Sequence, residues 1–240
     1  MSSRLGYIIR IMKEAESNSS SEAPTRTALR RYVVQRLLIK IIRGELGPGS
    51  RLIANGLAVQ LGMSATPVRE AMVELEQTGI IGLTHHRGAV VNPFGRNELR
   101  DFYHVRRLLL CEAVRLACGQ IDPSLIDELH GELQRVDGAS HDGHLAKDLF
   151  GIDQSIRQLL VDRCSNKWLV ADLGRYESVD SALREIVGGR RVAQRDVFLP
   201  AGELVAALQD NHADRSHAAM NRHVGVVACT VEEMVFDGKP

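Results

Sequence analysis

Apolar residues recur at helical spacing in the first patterned stretch, LRRYVVQRLLIKIIRGEL. Leu29, Val33, Leu37 and Ile41, with Val34, Leu38 and Ile42, form one face, while Arg30, Arg31, Arg36 and Lys40 stand on the other. GPGSRL breaks the pattern, and NGLAVQLG predicts a short helix closed by Gly62 in the C′ position. The next stretch, GMSATPVREAMVELEQTGIIGLTHHRGAVV, predicts a helix with Val68, Met72 and Leu75 on one face and Arg69, Glu70, Glu74 and Glu76 facing away, ended by Gly79. Pro67 reads as its first helical residue with Thr66 as N-cap, and Ser64 is a rival cap. IIGL and AVVNP are short and β-branched around THHRG, which predicts a hairpin. Pro93 to Arg96 reads as a linker. From Asn97 onward only helical patterns occur, near 97–118, 123–136, 143–162, 166–187, 200–210 and 213–236, as in an antiparallel bundle. Residues 1–25, with SNSSSEAPT, read as a disordered tail. The expected class is mainly α: a winged helix-turn-helix over 26–95, then an all-helical domain over 96–240.

Composition sharpens this division. Aromatic residues are 4% of the 240 and hydrophobic residues 44%, so a core must be built from Leu, Val, Ile and Ala, which suits packed helices. The net charge is zero, but residues 1–95 carry 12 Lys/Arg against 7 Asp/Glu, and the remainder 18 against 23. A basic front and an acidic back predict a polyanionic partner for the front alone. Cys111, Cys118, Cys164 and Cys229 form no C-x-x-C pair and read as small buried apolar residues in a reducing cytoplasm. No apolar run reaches the roughly 18 residues of a membrane span, and no signal-peptide pattern is present, so a cytoplasmic protein with no membrane partner is expected.

Helix, short helix, helix and hairpin is the winged helix-turn-helix order, in which the third helix enters the DNA major groove tip first. A helix N-terminus with small hydroxyl residues can dock on a phosphate, Arg69 one turn in can reach a phosphate or base edge, and Arg87 and Gly88 suit a wing over the minor groove or backbone. The same order on a capped helix and hairpin that bind nothing is the plainer alternative.

The stretch IIRGELGPGSRLIANGLAVQLGMSATPVREAMVELEQTGIIGLTHHRGAVV closely resembles the winged-helix domain of the GntR family of bacterial transcription regulators, over about residues 27–92. Gly44, Pro48-Gly49, Leu57-Ala58, Leu61-Gly62, Ser64, the run Thr66 to Ala71, Leu75, Gly79 and Gly88 fall in its pattern. The resemblance implies that Ser64, Thr66, Pro67 and Arg69 touch double-stranded operator DNA, with the wing at His86, Arg87 and Gly88. Two interface positions depart from the family. Ala65 stands where an arginine that commonly reads guanine is usual, and a charged residue is usual at Asn55 or Gly56, so the operator sequence is left open.

The segments NELRDFYHVRRLLLCEAVRLAC, IDQSIRQLLVDRCSN and AALQDNHADRSHAAMNRHV resemble the FadR-type (FCD) ligand-binding and dimerisation domain. Many such domains hold a divalent metal through one Asp and three His. The matching positions here are Asp153, Arg157, Ala201 and His223, so two of four ligands remain, and no metal or other cofactor is expected. Asp153 and Arg157, spaced i, i+4, suit an ion pair. The favoured expectation is a metal-free pocket for a small organic acid effector, with Arg157 and Arg106 binding carboxylate bidentately and Asp153, Asn166 and His223 beside them. The resemblance implies a homodimeric, effector-controlled regulator. Metal sensing through Asp153, His223 and a further ligand such as His104 or His217 is the alternative. An enzyme domain fused to a DNA anchor is a weaker one, because no G-x-S-x-G, P-loop, Rossmann glycine pattern or H-E-x-x-H occurs.

Overall fold

The structure, a computed structural model, describes residues 25–84, 88–137, 144–188, 191–192 and 194–237. The tail expected over residues 1–25 lies outside them except for Thr25.

The chain opens on α1 (Arg26–Ile42), whose N-cap Thr25 accepts a hydrogen bond from the Ala28 N–H. Its apolar face buries Val33, Val34, Leu37, Leu38, Ile41 and Ile42 against α3 (Ala65–Gln77), which contributes Val68, Ala71, Met72 and Leu75. Between them lie β1 (Arg51–Leu52) and α2 (Ala54–Leu61), the latter ended by Gly62 in the left-handed region as expected. Arg26–Glu70 and Arg30–Glu74 ion pairs join the polar flanks of α1 and α3.

The hairpin is part of a three-stranded antiparallel sheet, because β1 adds to β3 (Gly88–Val91) beside β2 (Ile81–Thr84), in the order β1-β3-β2. Leu52 and Leu83 both pair with Ala89. This close approach is why Gly88 must be glycine: φ is +88° and a Cβ there would stand 2.1 Å from the Leu52 carbonyl oxygen.

The second domain packs α4 (Arg96–Ala117), α5 (Pro123–Asp137), α6 (Ala146–Arg163), α7 (Lys167–Arg175), α8 (Glu177–Val187), α9 (Gln194–Gln209) and α10 (Ala213–Glu232). Helix α4 runs against α10, α6 and α7, around a core with Leu110, Ile156, Leu160, Leu183, Leu204 and Met220. A π-helical turn, Glu233–Asp237, follows α10 and is tied back to the start of α4: Arg96 pairs with Glu232 and Asp237 and lies over the Phe236 ring. The domains meet where α8 packs on α1, with the Gln35 amide donating to Glu185 at 3.1 Å.

Four expectations change. The single helix over 166–187 is two, broken at Tyr176, whose ring packs edge-on against Phe102 at 5.8 Å. The helix placed at 200–210 begins at Gln194 and carries Pro200 inside it, forgoing one N–H rather than starting at the proline. The back domain is not purely helical, since β4 (His144–Leu145) and β5 (Arg191–Val192) pair antiparallel. Of the free cysteines only Cys111 is buried, and Cys229 is exposed. No helix among the described residues is long and apolar enough to cross a membrane.

Candidate nucleic-acid interface and buried charge cluster

The tip of α3 is built differently from the cap read in the sequence. Ser64 is the N-cap and the helix starts at Ala65, so Pro67 is its third residue rather than its first and Thr66 its second. An N-cap side chain accepts from the second or third N–H of a helix, and Pro67 has none to give. Ser64 makes no side-chain cap bond, which leaves an exposed helix end with its positive dipole open to an anion.

Ser64 and Thr66 are exposed and Ala65 half-buried, whereas Pro67 is buried. Arg69 and Asn55, from different helices, are brought together: the Arg69 guanidinium donates to Asn55 Oδ1 at 3.1 Å. Both line a 710 Å³ groove that also includes Arg51 and Gly88. The wing residues His86 and Arg87 lie outside the described residues.

In the helical domain α4, α6 and α8 bring Arg106, Asp153, Arg157 and Asp180 into one buried cluster. Arg106, 2% exposed, donates from Nε to Asp180 and from Nη2 to Asp153, both at 2.8 Å. Arg157 Nε donates to the same Asp153 oxygen at 3.2 Å, and its Nη1 stands 3.4 Å from Asp180 and bonds Glu177. Arg184 Nη2 donates to the other Glu177 oxygen at 2.7 Å. His223, fully buried on α10, places Nε2 3.2 Å from the second Asp153 oxygen. Three guanidinium groups thus meet three carboxylates.

Electrostatics separate the two aspartates. Burial alone would push the Asp153 carboxyl up, but Arg106, His223 and Arg157 outweigh it and hold it well below the usual carboxylate range. Asp180 is raised, because burial dominates and Asp153 and Glu177 repel its charge while Arg106 and Arg157 offset only part. Glu177 is lowered, Arg157 and Arg184 overcoming its partial burial. Tyr103, buried beside the cluster, is raised by burial and then by Asp180.

A 390 Å³ cavity adjoins this cluster, between α4, α6, α7 and α8. Arg106, Arg157, Glu177 and Asp180 form its charged wall, and Leu110, Val161, Val170 and Leu173 are on its apolar wall. Arg106 Nη1 and Arg157 Nη2 are buried without a hydrogen-bond partner among the described residues. Asn166 stands apart from the cavity: its exposed side chain caps α7, accepting from the Trp168 and Leu169 N–H groups. His104 is exposed beside Arg107, His212 caps α10, and His217 is exposed.

The residues do not fit a divalent metal. Asp153 and His223 contact each other directly, two guanidinium groups hold the other Asp153 oxygen, and Ala201 has no ligand atom. Among the described residues, no group of three or more His, Cys, Asp or Glu could hold an ion. Sequence reasoning missed Glu177, Asp180 and Arg184. Their i, i+3, i+7 spacing puts them on one face of α8 beside buried Val179, Leu183 and Val187, a charged stripe that could have marked them.

Comparison with known proteins agrees with both halves of this arrangement. Residues 29–91 match the bacterial regulatory proteins of the gntR family, and residues 101–226 match the FCD domain. The chain is 25% identical over 216 residues to the HTH-type transcriptional repressor RspR of Escherichia coli, covering 84% of this chain and 90% of that protein. It is 32% identical over 120 residues to the E. coli regulator McbR, 50% of this chain and 54% of McbR. The solved structure of E. coli McbR/YncC superposes with a TM-score of 0.61 at 24% identity, covering 85% of this chain and 97% of that one, a likeness of fold. The chain belongs to the GntR family of bacterial transcription regulators, with an FCD effector-binding domain behind its winged helix.

Proposed function

We propose that this regulator binds a DNA operator as a homodimer and that a small organic acid in the helical-domain cavity sets its operator affinity. The observation that carries the effector class is the pair of buried, unpartnered N–H-bearing atoms, Arg106 Nη1 and Arg157 Nη2, on two residues that line a 390 Å³ space. An unmade hydrogen bond from a buried cation is costly, and a carboxylate accepting from both guanidinium groups supplies the missing acceptors. Ser64, Thr66 and Arg69 hold the duplex, Asn55 orients Arg69, and Ala65, Arg87, His86 and Gly88 complete the interface. Two copies reading two half-sites supply useful specificity. Effector binding changes the placement of the winged domains and hence half-site fit.

A thermal-shift screen of carboxylates against the purified protein tests this reading. Acids that raise the melting temperature are then added to the protein on a duplex selected from genomic fragments. An acid that stabilises the wild type, fails with Arg157→Ala and changes duplex affinity is the expected result. Affinity for the acid unchanged by Arg157→Ala refutes the assignment of the pocket.

A further inference from the structure

Glu177 is the least buried member of the charge cluster. Its side chain is 47% exposed, against 10% for Arg157, 7% for Asp180 and 2% for Arg106. Both of its oxygens are in use, one on Arg157 Nη1 and the other on Arg184 Nη2, and it is the first residue of α8 on the rim of the cavity. It therefore stands between a buried guanidinium and solvent, on the same Arg157 that an incoming carboxylate would engage. We propose that Glu177 is an internal competitor: its carboxylate occupies the cationic edge of the cavity until the carboxylate of a ligand with a short apolar body displaces it. This rests on the effector reading above.

Two observations support displacement rather than a fixed wall. The three guanidinium groups and three carboxylates balance, so a further anion enters favourably only if a carboxylate leaves, and Glu177 is the one already open to water. Leu110, Val161, Val170 and Leu173 line the space on the apolar side, which suits a hydrocarbon body, and 390 Å³ is the room of roughly 13 waters at about 30 Å³ each. Release of Glu177 also frees the first turn of α8, the helix that packs on α1 of the winged domain.

The test is calorimetric titration of the full-length protein with the linear monocarboxylates from acetate to octanoate. In the wild type, affinity is expected to rise with chain length until the apolar wall is covered. Glu177→Gln, which keeps the side-chain shape but removes the competing charge, is expected to bind every member about 5–150-fold more tightly, the usual size of a coupling free energy between two interactions in one protein. Glu177→Ala should do the same, and circular dichroism should show both variants folded. Binding by the wild type that is no tighter in either variant overturns the competitor while leaving the pocket in place. Binding of no member by any of the three proteins overturns the effector reading and the competitor with it.

Discussion

Replacing Arg106 with methionine keeps a long apolar stem and removes the charge at the centre of the cluster. Arg106 is 2% exposed and holds Asp153 and Asp180 at 2.8 Å each. Without it, Asp153 retains Arg157 and His223, but Asp180 keeps only Arg157, at 3.4 Å. Breaking a buried pair by deleting one partner costs about 3–5 kcal/mol, since the other charge stays behind. At about 2–4 °C per kcal/mol for a chain of this size, Arg106→Met should melt about 6–20 °C below wild type at neutral pH. Adding Asp180→Asn removes the stranded carboxylate and should restore about 0.5–3 kcal/mol relative to additivity. The pH dependence has a definite sign. Asp180 already has a raised pKa in the folded state, and losing Arg106 raises it further, so protonation favours the folded variant and its deficit should shrink as the pH falls toward the raised value. Scanning calorimetry of the two variants at several pH values reads all three effects. A loss below about 1 kcal/mol, or strict additivity with Asp180→Asn, would refute the view that these charges depend on one another.

Asp153 carries the opposite dependence. Its folded value lies well below the ordinary 3.8, so its stabilisation is complete above 3.8 and is lost as the pH falls through the folded value. Acid unfolding below pH 3.8 should be steeper in wild type than in Asp153→Asn, measured by circular dichroism. Gly88→Ala drives a Cβ to 2.1 Å from the Leu52 carbonyl at φ +88°, which should destabilise the winged domain by about 1–3 kcal/mol in thermal unfolding and weaken duplex binding.

The front domain was legible in its sequence for physical reasons. The apolar face of α1 repeats over more than three turns, and Gly62 and Gly79 mark helix ends with positive φ. The start of α3 was misread because proline is tolerated anywhere in a helix's first turn, where its missing N–H has no intrahelical partner, so Pro67 alone does not fix the register. β1 is two residues long and exists only through pairing with β3. Tyr176 breaks the 166–187 helix where it meets Phe102, a contact between distant segments. In the cluster, Asp153–Arg157 was visible at i, i+4, whereas Arg106–Asp180 spans 74 positions and is set by how α8 lies against α4. Asn166, expected beside the pocket, instead caps α7, a local role its side chain serves at the start of a helix.

The central claim, that the exposed tip of α3 and Arg69 grip duplex DNA, is tested most directly by fluorescence anisotropy. The measurement titrates the wild type and Arg69→Ala onto a duplex selected from genomic fragments, between 50 and 200 mM salt, the range over which about 6–10 phosphate contacts change affinity by roughly 10³–10⁵. The account predicts preference for that duplex over competitor, a steep fall of affinity with salt, and about 1–3 kcal/mol weaker binding by Arg69→Ala. No preference for any duplex, or an Arg69→Ala protein that binds like wild type at every salt concentration, would contradict it.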